Sequence, residues 1–297
     1  MLLTMFKTSE RRACRVVGRA RSALRKPLKA AERDKALAAS IAQLAGANPR
    51  FGYRRICALL RKENAWKDLN RKRVYRLWVS MGFSVAQRPP RRKRSAEPPE
   101  GHLMRAERPN HVWTYDFIHD RTADGRAIRI LSIVDEFTRE CLGLRVARSF
   151  KSADVVRVIE GLTAVRGVPT AIRSDNGPEF AANAIRTWLA GAGTTTIYIE
   201  PGSPWENPFI ESFHARLRDE LLRGEDFHSV REARVVLQDH RNHYNNNRPH
   251  SSLGYATPAE FAASWAGVQS AGAGSSLQTA ATQPSSATVQ RRELTPV

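Results

Sequence analysis

Between residues 111 and 118 large apolar side chains alternate around a central carboxylate. Trp113, Tyr115 and Phe117 fall on one face of an extended strand, and Val112, Thr114, Asp116 and Ile118 on the other. This alternation commits the segment to a β-strand with two distinct faces. Aspartate is disfavoured inside a strand, so Asp116 asks for a reason to be there. The residues after 118 extend the sheet. A turn at Ala123, Asp124, Gly125 and Arg126 leads to an apolar strand over 128–134, and a third strand fits 141–147, which implies two adjacent antiparallel hairpins. A helix fits 153–165, with Val155, Val158, Ile159 and Leu162 on one face and Gly167 and Pro169 closing it. A short strand over 170–174 runs into the turn Asp175, Asn176, Gly177; a helix over 179–189 and a strand over 194–199 complete an α/β core.

The next helix can start in two ways. Ser203, Pro204, Trp205 and Glu206 resemble a capping box, but a helix begun there carries Pro208 inside, at a cost of ~3 kcal/mol. Asn207 as cap with Pro208 as the first helical residue avoids that cost. Glu211 then lies in the first turns of a helix running to about Leu222, held by Ile210, Phe213, Leu217 and Leu221. A further helix fits 229–246.

Three carboxylates thus sit at the middle of a strand (Asp116), the exit of a strand (Asp175) and the start of a helix (Glu211). If the first and fourth strands are neighbours, the two aspartates meet. Three ionised carboxylates held together repel one another unless a cation neutralises them, and oxygen-only ligands point to Mg²⁺ or Mn²⁺. Two such ions ~3.5 to 4 Å apart would serve in-line phosphoryl transfer. Taken singly, each residue has an ordinary reading: Asp175 before Asn-Gly is a common turn, and Glu211 complements a helix dipole. Glu206 and Glu179 are rival third carboxylates, weakened by the loop before Pro208 and by closeness to Asp175. His214 and Arg218 follow Glu211 at +3 and +7, on or near its helix face, where they are candidates for DNA phosphate or simply solvated. His240, His243 and His250 lack cysteine or acidic partners at zinc spacing.

The first 110 residues hold 28 Lys+Arg against 8 Asp+Glu, the remainder 20 against 21. A basic arm feeding a near-neutral body suits nucleic acid, since basic side chains displace counterions from phosphates; a solvated basic surface or an RNA binder is the alternative. Residues 1–34 are Arg-rich and unpatterned, which predicts a mobile arm with little structure. Over 35–84 three short helices are expected: one striped by Leu37, Ile41 and Leu44, one over 53–63, and one capped by Asn70 that runs to Gly82. This is a helix-turn-helix pattern, and Arg71, Lys72, Arg73 and Arg76 on its last helix face outward for a major groove; a plain three-helix bundle is the competing reading. Residues 85–108, with Arg91, Arg92, Lys93 and Arg94 after Pro89 and Pro90, read as a semi-extended basic linker that also contacts DNA. The catalytic core with its helical extension spans 109–265, and 266–297 reads as a disordered tail. Cys14, Cys57 and Cys141 form neither a disulfide framework nor a zinc knuckle. Without a signal peptide or membrane span, a reducing cytoplasm is expected.

The order of these motifs resembles a known family. Asn48, Pro49, Arg50, Phe51, Gly52, Tyr53 and Arg54 come first, then His111 to Asp116; next Ser174, Asp175, Asn176 and Gly177, then Asn207, Pro208, Phe209, Ile210, Glu211, Ser212 and Phe213, and last Tyr244 to Pro258 with Arg248, Pro249 and His250. Together they are similar to the bacterial insertion-sequence transposases of the retroviral-integrase-like, three-carboxylate class, nearest to the second-reading-frame product of the insertion-sequence-three family. The resemblance covers residues from about 9 to 261. It implies a ribonuclease-H-like core and places the metal-binding carboxylates at Asp116, Asp175 and Glu211. It implies nicking at the ends of an insertion sequence in double-stranded DNA, then attack of the freed 3′-hydroxyl on target DNA. A homo-multimeric synaptic complex is implied too. Family members commonly act fused to an upstream-frame product carrying a leucine zipper; no heptads precede residue 35, so that product is an expected fusion or partner. A ribonuclease-H-like nuclease and a non-enzymatic helix-turn-helix regulator remain the competing readings.

Overall fold

The computed structural model describes residues 9–16, 18, 27–83, 104–174, 183–198 and 207–266. The chain is helical earlier than its composition suggests, with α1 over Glu10–Val16 and α2 over Pro27–Ala47. Arginine is itself a good helix former, so an Arg-rich stretch without an apolar stripe does not exclude a helix. Helices α3 (Tyr53–Lys62) and α4 (Arg71–Ser80) pack with α2 around Leu37, Ile41, Ile56, Leu60, Val74 and Trp78, with Phe51 added from the loop before α3. Asn70 caps α4 as expected, its side chain accepting from the Lys72 N–H at 2.8 Å.

The second unit is built on five strands: β1 (Val112–Arg121), β2 (Ala127–Asp135), β3 (Cys141–Ala147), β4 (Ala171–Ser174) and β5 (Thr195–Tyr198). Their order is β3-β2-β1-β4-β5, with β1–β2 and β2–β3 antiparallel and β1–β4 and β4–β5 parallel. That order and direction are those of a ribonuclease-H-like sheet, with β1 at its centre. Helices α5 (Ser152–Arg166) and α6 (Asn183–Gly191) cover one face, and α7 (Pro208–Leu217) and α8 (Val230–Asn246) the other. The alternation in β1 is obeyed: Trp113, Tyr115 and Phe117 enter the core under α5 and α6, while Ile118 joins Ile210, Phe213 and Leu217 of α7. Asp116, of the same parity as Ile118, therefore opens on the α7 side. After Leu217 the helix widens into a π-helical turn over Arg218–Leu222, where a plain α-helix was expected. A last helix, α9, spans residues 258–266. Among the described residues no helix is long and apolar enough to cross a membrane.

Candidate active site

The site is assembled from the centre of the sheet and the helix laid across it. Asp116 is paired with Ser132 across β1 and β2, and its Oδ1 accepts from the Phe117 N–H at 2.6 Å. Its side chain keeps 31% of its exposure, enough for Oδ2 to reach solvent or a ligand. α7 begins at Pro208, as the proline rule requires, with Asn207 before it. The Asn207 side chain makes no cap bond; its Oδ1 accepts from the buried Thr114 hydroxyl at 2.5 Å, tying the helix start to β1 two residues from Asp116. Glu211 stands exposed in the first turn of α7.

One turn later, His214 turns inward instead of toward solvent. Its side chain is 6% exposed, its Nδ1 lies 3.6 Å from Asp116 Oδ2, and its Nε2 is 2.6 Å from the Ser132 hydroxyl. Ser132 also donates to the Asp116 carbonyl at 3.2 Å. Burial, helped by the nearby Arg218 charge, pushes the His214 pKa down to about 3, so the imidazole is neutral. With the one Ser132 proton directed at the Asp116 carbonyl, the neutral ring donates its Nε2–H to the Ser132 hydroxyl and sets its Nδ1 edge against Asp116 without adding a positive charge. Sequence reasoning placed His214 near the face but missed Ser132. The available signal was one hydroxyl inside the apolar run from Ile130 to Val134.

Asp175, Glu179 and Glu206 lie outside the described residues, as do Arg91, Arg92, Lys93 and Arg94. Among the described residues no three metal-ligating side chains converge. The described candidates, Asp116 and Glu211, are carboxylates on the central strand and on the helix laid across it, a donor type that suits a hard divalent cation. Arg218 is exposed at the start of the π-helical turn. Of the four basic residues expected at a groove, Arg71, Lys72 and Arg76 are exposed and Arg73 is partly buried. Arg73 and Arg76 also pair with Asp34 of α2, at 2.7 and 2.6 Å. His240, His243 and His250 lie around Arg248, whose Nη1 is 3.2 Å from His250 Nε2, and burial lowers the pKa of all three.

The chain is similar to known families and proteins. The integrase core domain family model matches residues 106–204, a second integrase core domain model matches 192–258, and an HTH-like domain model matches 32–94. The uncharacterized 39.2 kDa protein of insertion element IS476 from Xanthomonas euvesicatoria is 42% identical over 86% of this chain and 73% of its own length. The uncharacterized 31.7 kDa protein of insertion element IS407 from Burkholderia multivorans is 39% identical over 86% of this chain and 91% of its own. Transposase InsD of insertion element IS2 from Escherichia coli is 28% identical over 73% of this chain and 74% of its own.

Proposed function

The chain belongs to the insertion-element transposases built on the integrase core domain, and from that premise we propose that Asp116, Asp175 and Glu211 are the carboxylates of its metal-dependent active site. It acts as a DNA transposase, with an HTH-like module suited to DNA binding. The observation that supports the site assignment is the closure of α7 on Asp116: His214, one turn after Glu211, touches the Asp116 carboxylate, so Asp116 and the Glu211 helix share one face of the sheet. The register of β1 and β4 supports the remaining member. Val112 pairs with Ala171 and Thr114 with Arg173, a constant offset of 59 residues, and the same offset relates Asp116 to Asp175.

Mg²⁺ or Mn²⁺ held by these carboxylates, as a pair of ions, would supply charge neutralisation at the attacking and leaving oxygens. The protein's own residues do the rest. Asp116 is fixed from behind by the Ser132–His214 pair, and Glu211 is carried on a helix anchored through Asn207 to β1. In the first step water attacks a phosphodiester at an element end, forming a P–O bond as the P–O3′ bond breaks and leaving a 3′-hydroxyl and a 5′-phosphate. In the second, that 3′-hydroxyl attacks a target phosphodiester and the target's own 3′-oxygen leaves. Both ends are handled in a multimeric synaptic complex, with an upstream-frame product as fusion or partner. Asp116→Asn tests the reading: strand joining on a labelled end duplex should fall by more than about 100-fold, beyond the range of an outer-sphere change. Joining at the wild-type rate would overturn the assignment. Hydrolysed ends without joined product from the wild type would favour a nuclease.

A further inference from the structure

Four arginines from four parts of the chain line one cavity of about 300 Å³ beside α7: Arg55 of α3, Arg139 of the β2–β3 turn, Arg216 of α7, and Arg248 after α8. Their compensation is incomplete. Glu220 is bound twice by Arg248, at 2.6 Å each, and lies 3.5 Å from Arg55. Glu140, next to Arg139 in sequence, is held by Arg166 at 2.9 Å, and Glu136, whose charge acts on Arg139, is shared with Arg173 at 2.8 Å. Arg216 has no ion pair among the described residues, and Arg139 Nη1 is buried without a hydrogen-bond partner.

Arg139 is also held in place at a cost. Its φ of 64° lies in the left-handed region, which a long side chain rarely adopts. Its guanidinium sits 3.8 Å from the centroid of Phe209, two residues before Glu211. Burial and repulsion from Arg248 and Arg216 pull the Arg55 pKa down to about 10, the signature of cations crowded together without enough anion. A planar guanidinium with an unused buried donor suits a phosphate oxygen, and several of them around one cavity suit a single phosphate group.

We propose that this cavity is a phosphodiester-binding subsite, which takes one backbone phosphate of the DNA strand near the active site through Arg139 and Arg216, with Arg55 contributed by the helix-turn-helix unit. It rests on the transposase reading for its ligand and on the described geometry for its location. Because Arg55 comes from the N-terminal unit and Ser212 and Phe209 from the Glu211 helix, one phosphate would bridge the DNA-binding unit and the catalytic helix.

The test is the salt dependence of binding of the full chain to a short end duplex in EDTA, where catalysis plays no part. Each phosphate contact contributes roughly 0.9 to the slope of log affinity against log salt. Arg216→Gln, on a half-buried helix position, should lower the slope by about one, and so should Arg139→Gln. Since both grip the same phosphate, the double variant should lose no more than either alone. A wild-type slope and affinity in both single variants would overturn the proposal, as would losses that add. Inorganic phosphate is the second probe: if it stabilises the wild type against heat but not Arg216→Gln while the duplex slopes stay equal, the cavity takes a free anion and the strand assignment is wrong. If Arg139→Gln fails to fold, Arg216→Gln alone decides between loss and retention of the slope. Strand joining by Asp116→Asn reads the carboxylate assignment separately, so either reading can fail without the other.

Discussion

His214 shows how a single residue's place is set by what packs over it. On the helix it follows Glu211 by three positions, which put it near the outer face; the sheet beneath α7 instead draws it onto Asp116 and Ser132. Local spacing could not supply that, because Ser132 is 82 residues away in sequence. Replacing His214 by Ala should weaken Mn²⁺ binding about 10- to 100-fold, as loss of an outer-sphere partner usually does, and His214→Asn, which keeps an N–H donor, should recover part of it. Electron paramagnetic resonance titration of free Mn²⁺ measures both. The buried histidines also set a pH response. His250, like His214, is pushed from 6.5 to about 3 by burial, with Arg248 adding to the effect. Its folded pKa is below the unfolded one, so its share of stability is complete above about pH 6.5. That share is lost as the pH falls toward 3, because the unfolded chain takes the proton first. At about pH 5.5 the loss is about 1 kcal/mol. Asp135 and Glu136, raised by burial, work in the opposite sense, so the readout is a comparison: His250→Asn should lose less urea resistance than the wild type between about pH 7.5 and about pH 5.5.

Elements whose ends are fixed by local chemistry were legible. Asn70 caps α4, Pro208 starts α7, and β3 occupies 141–147 as its pattern predicts. Asn70→Ala should therefore cost about 1 kcal/mol of helix stability, read as a lower thermal midpoint with the outward basic residues untouched. The π-helical turn after α7 was not legible, because nothing in residues 218–222 marks it. The turn carries Glu220, whose carboxylate meets Arg248 from the far end of α8. Likewise two of the four cations on the basic face of α4, Arg73 and Arg76, share Asp34, a carboxylate on another helix. Periodicity gives a side chain's direction but not the charge waiting for it.

At the scale of the molecule, the split between a basic front and a near-neutral core was plain from charge, while the joint between them was not. That joint is buried and ionic: Glu220 under Arg248 and Arg55, and Phe51 of the N-terminal unit beneath the guanidinium of Arg248. Residues 165 or more positions apart meet there, and no window of sequence carries such a pairing. Removing the carboxylate leaves Arg248 buried and uncompensated, so Glu220→Ala should cost about 3 to 5 kcal/mol. It should also split unfolding into two transitions, seen by calorimetry, as the N-terminal unit lets go of the core. The bond between Thr114 and Asn207 has a different reach. It ties the start of α7 to the central strand, so the two halves of the site are joined by a single buried bond as well as by the chain that runs between them. In sequence that bond is written as a Thr two residues before the first aspartate and an Asn four before the glutamate, a pair of positions that can be looked for in other chains alongside the carboxylates.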